Sequence, residues 1–106
     1  MTDRAQPIDD ASPYRSSPVF DETDLPAALR REHRTKPGVW GVVRAMEGSL
    51  DLHFADGTPT RLVTPDRPGI ILPDQPHWVV PGDRMRMRVD FYTCPPPMSL
   101  NGDESS

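Results

Sequence analysis

Fourteen prolines and seven glycines in 106 residues are the strongest constraint on what this chain can build. Proline breaks helix interiors and glycine weakens them, so the punctuation argues against long helices. It cuts the middle of the chain into short segments instead. Val39–Met46 (VWGVVRAM) is rich in β-branched and aromatic residues and follows the turn signal Lys36-Pro37-Gly38. Glu47-Gly48 leads into Ser49–Phe54, where Leu50, Leu52 and Phe54 alternate with Asp51 and His53, the period-two pattern of a half-buried strand. These two segments read as a hairpin pair, with Ala55-Asp56-Gly57 as a second turn.

Thr60–Val63 predicts a short third strand, Ile70–Leu72 an apolar strand stopped by Pro73, and His77–Val80 another stopped by Pro81-Gly82. Arg84–Tyr92 alternates strictly, with Met85, Met87, Val89 and Phe91 on one face and the arginines, Asp90 and Tyr92 on the other. Asp24–Glu32, with Pro26 near a first turn, reads equally as a helical turn or an irregular strand. Short strands between regular Gly and Pro turns predict an all-β sandwich or closed barrel, and closure also removes exposed sheet edges.

Residues 1–17 and 95–106 are polar or proline-rich, with little to bury, and read as flexible arms flanking one domain over residues 18–94. A core of that size is marginal alone, and association into a homodimer is a common remedy. The net charge of −4 and the scattered basic residues argue against nucleic-acid binding. No apolar run is long enough for a signal peptide or a membrane span, which makes the cytoplasm the default location. The single cysteine, Cys94, rules out an internal disulfide and cysteine-rich zinc motifs, and no base is placed beside it.

The candidate site residues are few. His53 lies on the polar face of its strand and reads as a solvent-facing histidine. His33 and His77 both stand at strand borders, where a barrel mouth would place them, and His77 has apolar neighbours in Pro76, Trp78 and Val79. Neutral imidazole is the commonest protein metal ligand. The competing reading makes both structural histidines, bonded to backbone carbonyls. Asp90, on the last strand, is the candidate third member of a two-histidine, one-carboxylate metal set. Against that role, Arg86 and Arg88 share its face, so an inward Asp90 would need a bulge to re-aim it.

The strings Glu32-His33-Arg34-Thr35-Lys36-Pro37-Gly38-Val39-Trp40-Gly41, Leu72-Pro73 with Pro76-His77-Trp78, and Val89-Asp90-Phe91-Tyr92 together resemble the TehB/YeaR-like domain family. Members are small cupin-like domains, found alone or fused ahead of a tellurite-resistance methyltransferase. The resemblance spans roughly Pro18 to Tyr92. It implies a cupin-type double-stranded β-helix (jelly roll), with His33, His77 and Asp90 matching the family's two histidines and carboxylate around a divalent metal, zinc or iron. The usual cupin H-x-H with a following glutamate is absent, and no methyltransferase segment follows.

Two functions follow from these residues. One is a binding or sensing module for a small-molecule ligand, metal-occupied or not, with a stress-response role of the tellurite or nitrate type implied by the resemblance alone. The other is a metal-dependent oxygenase or isomerase with His33, His77 and Asp90 as ligands. A third, purely structural reading is a dimer in which the histidines are packed.

Overall fold

The computed structural model describes residues 12–96, so most of both expected arms lies outside the described residues. The described part forms strands β1 (Arg15–Ser16), β2 (Phe20–Asp21), β3 (Trp40–Glu47), β4 (Leu50–Phe54), β5 (Arg61–Val63), β6 (Gly69–Ile71), β7 (His77–Pro81) and β8 (Arg86–Tyr92). The undecided segment around Pro26 becomes a single 3-10 turn, Ala27–Leu29. Arg15–Ser16, expected within the N-terminal arm, instead pairs with β8. Among the described residues no helix is long and apolar enough to cross a membrane.

Two antiparallel sheets result. One runs β1-β8-β3-β6, with β2 also on β8, and the other runs β5-β4-β7. The pairings nest: β3 pairs with β8, and inside that loop of chain β4 pairs with β7. Such nesting is consistent with a long hairpin rolled up as a jelly roll. Between the sheets lies one apolar core built from Val43, Leu50, Leu52, Ile71, Met87 and their neighbours.

The expected hairpin between Val39–Met46 and Ser49–Phe54 does not form. β3 is buried on both faces, Val42 fully and Val43 to 1% exposure, and both of its edges are taken, by β6 and β8. β4 therefore crosses to the opposite sheet and makes its hairpin with β5. A register shift between Ala45 and Glu47 marks a bulge that bends the end of β3 toward this crossing. Gly48 then takes φ 68°, and a Cβ there would collide with the Arg84 carbonyl, so glycine is required by both backbone and space.

Candidate functional site

His33 and His77 meet through their backbones. Each donates its N–H to the other's carbonyl at 2.9 Å, an isolated antiparallel bridge that fastens the loop before β3 to the start of β7. Residues that exchange both bonds project their side chains to the same side. The two imidazole rings accordingly lie 4.1 Å apart, centre to centre, with planes tilted by 58°. His77 stands directly opposite Phe54 on β4, a core residue, so its ring faces the space between the sheets.

Both rings are anchored in the same way. His33 Nδ1 lies 2.9 Å from the Arg31 carbonyl and His77 Nδ1 lies 2.8 Å from the Gln75 carbonyl. A carbonyl only accepts, so each Nδ1 must carry the proton and donate. In the neutral ring this tautomer leaves the lone pair on Nε2. Neither Nε2 has a hydrogen-bond partner among the described residues, and neither is a sealed polar atom, so both reach solvent-accessible space. Burial holds His77 neutral, lowering its pKa to about 4, and the neighbouring His33 pushes in the same direction.

Local sequence explains the posture of His77. Pro73 and Asp74 form a turn closed by the Gln75 N–H to the Leu72 carbonyl at 3.1 Å, and Asp74 takes φ 60°, a conformation aspartate tolerates better than most residues. Gln75, 6% exposed, locks that turn from inside. Its Oε1 accepts from Leu72 N–H at 2.9 Å, and its Nε2 donates to Asp56 Oδ2 and Thr58 Oγ1, both at 3.1 Å. Sequence reasoning missed this positioning residue, although a lone amide in the string Pro73-Asp74-Gln75-Pro76 was its signal.

The third expected member is not brought to the pair. Met87, Val89 and Phe91 of β8 face the shared core, so Asp90 lies on that sheet's opposite face. Only 2% exposed, it accepts from Ser16 Oγ at 2.7 Å, Arg44 Nε at 2.8 Å and Arg88 Nε at 2.9 Å. Burial alone would raise its pKa, but the bonds from Arg88, Ser16 and Arg44 overcome it and hold the carboxyl below the usual range. The like face shared with Arg88 thus decides the matter, with no bulge at Asp90. Among the described residues no three His, Cys, Asp or Glu side chains converge as a metal cage. The residues on hand fit two ligand positions, not three.

His53 lies on the outer face of β4, stacked on Trp78 with ring centres 5.1 Å apart, away from the other histidines' side of the sheet. Cys94 is half-buried beyond the end of β8.

The comparisons with known proteins agree with this architecture. Crystal structures of TehB from Haemophilus influenzae and of a protein from E. coli K12 superpose on the chain. TehB gives a TM-score of 0.67 at 25% identity, covering 74% of this chain and 30% of its own length. The E. coli protein gives 0.69 at 22% identity, covering 78% of this chain and 90% of its own, and shows the fold alone. The chain thus spans under a third of TehB's length. No curated protein matches it. A family model described as the TehB-like domain matches residues 15–89, from β1 through the core of β8, and the chain belongs to that family.

Proposed function

We propose that this chain is a small binding module whose His33–His77 pair takes one divalent metal ion, zinc or iron, leaving the remaining coordination positions to solvent or to a small ligand. The observation supporting this reading is the paired orientation of the rings. Both Nδ1 atoms are tied to backbone carbonyls, and the two rings lie side by side with centres 4.1 Å apart. A ligating histidine ordinarily has its second nitrogen fixed in this way. The same carbonyl bonds would suit merely structural histidines, but those would have no use for two unpartnered ring nitrogens side by side. When bound, the metal would supply an electrophilic centre that polarises an oxygen-containing ligand. Gln75 and the Asp74 turn keep His77 oriented, and the backbone bridge keeps His33 beside it.

An oxygenase or isomerase using His33, His77 and Asp90 is the weaker reading, because Asp90 would have to leave two arginines and a serine. A stress-response role of the tellurite type rests on family membership, and the methyl-transfer chemistry of longer members is not carried over.

The test is metal analysis of tag-free protein loaded with zinc or iron(II) and freed of excess ion. Wild type should retain about one ion per chain. The His33→Gln, His77→Gln double variant, checked for an unchanged circular-dichroism spectrum, should retain almost none. Equal metal in the two proteins, or none in wild type, would overturn the reading.

A further inference from the structure

Apart from the histidine pair, the structure holds an open groove of about 450 Å³ between the N-terminal strand and the loop that leads into β3. That size lies in the range of small-molecule sites. Its floor is apolar: Phe20, Leu29 and Phe91 are partly exposed members of the core's edge, and Val39 completes the wall. Tyr14, 56% exposed, stands at the rim.

Arg15, Arg34 and Lys36 line the groove, and among the described residues no acidic side chain does so. In a chain of net charge −4 that concentration of cations is not a reflection of composition. Among the described residues Arg15 and Lys36 have no ion pair. Arg34 uses one nitrogen, Nη1, on the Asp74 carbonyl at 3.0 Å and on its carboxylate at 3.6 Å, with both side chains more than half exposed. Such an exposed pair is readily exchanged for another anion. A ring-lined floor below three cations complements a molecule with an aromatic body and one negative end.

We propose that this groove is a binding site for a small aromatic carboxylic acid, its ring on Phe20 and Phe91 and its carboxylate against Arg15, Arg34 and Lys36. The proposal is independent of the histidine pair, since none of its residues is His33 or His77.

Amide-resolved NMR titration of the full chain tests it, with phenylacetate as the probe and phenylacetamide as its uncharged twin. Phenylacetate should shift the signals of residues 14–20, 34–39 and 91 saturably. The amide should bind about tenfold or more weakly, as loss of a charge-assisted contact requires. An Arg15→Gln, Lys36→Gln variant should weaken phenylacetate by a similar factor and leave the amide unchanged. Equal binding of acid and amide would overturn the proposal by making the groove an apolar slot. Shifts that follow protein concentration instead of ligand would overturn it as well, by assigning the groove to a second copy of the chain. So would the absence of saturable shifts at millimolar phenylacetate.

Discussion

Two buried polar clusters, one on each sheet, differ in how fully they are satisfied. Asp90 and His77 are equally hidden, at 2% and 3% exposure. The Asp90 carboxylate accepts four hydrogen bonds on its two oxygens, from Ser16, Arg44 and twice from Arg88. Nothing more can be asked of it. His77 and His33 each use one ring nitrogen and keep the other open. Burial of an ionisable group therefore does not by itself mark a site. The open ring nitrogens do, because each still has a position for a ligand, whereas the Asp90 oxygens are already engaged by Ser16, Arg44 and Arg88.

The largest effect that separates the clusters is on stability. Asp90→Ala leaves Arg44 and Arg88 facing each other across β3 and β8, where they are cross-strand partners. Removing one partner of a buried ion pair costs about 3–5 kcal/mol, and the partial exposure of both arginines places this case at the lower end. Urea unfolding should show that loss, while metal retained per folded chain stays at the wild-type level. A variant as stable as wild type but stripped of metal would reverse the roles assigned to the two clusters.

The pH dependence of stability is the next largest effect. The folded pKa of His77 is about 4, against an ordinary value of 6.5. Between those values the unfolded chain binds a proton that the folded chain refuses, so stability falls as pH drops from 6.5 toward 4. At about 1.4 kcal/mol per unit the loss totals on the order of 3 kcal/mol. Asp90 acts in a different window: its carboxyl is depressed below 3.8, so its contribution is present above that pH and is lost only as pH falls further. Unfolding of chelator-treated protein at several pH values should show the first slope in wild type and not in His77→Gln. A slope that survives the substitution would mean that His77 is not the buried neutral group.

Strand positions were legible because period-two alternation is a local property: Leu50, Leu52 and Phe54 are buried, and Asp51 and His53 are not. The partnership of strands was not. The turn Glu47-Gly48 looks the same from sequence whether it closes a hairpin or an arch between sheets, and the choice is made by β6 and β8 occupying both edges of β3. The site divides along the same line. His33 and His77 stood out by their strand-border positions, but their contact is a backbone bridge across 44 residues of sequence. The face of Asp90 was readable from Arg86 and Arg88, whereas Arg44, its partner from β3, was hidden by distance along the chain.

The smallest effect concerns the third histidine. His53 and Trp78 are cross-strand neighbours whose rings lie nearly parallel, 7° between planes, on the outer face of their sheet. His53 Nδ1 meets the Thr60 hydroxyl at 3.1 Å, a group that can donate or accept, so no proton is fixed on that ring as a carbonyl fixes it on the other two. His53→Ala should cost about 0.5–1 kcal/mol, the worth of a stacked pair on a half-exposed face. It should leave both the acid slope of stability and the metal content as they are in wild type. All three histidines share one side chain, and only two share a fixed tautomer and an open nitrogen. A loss of metal in His53→Ala would therefore show that imidazole count, not orientation, governs binding.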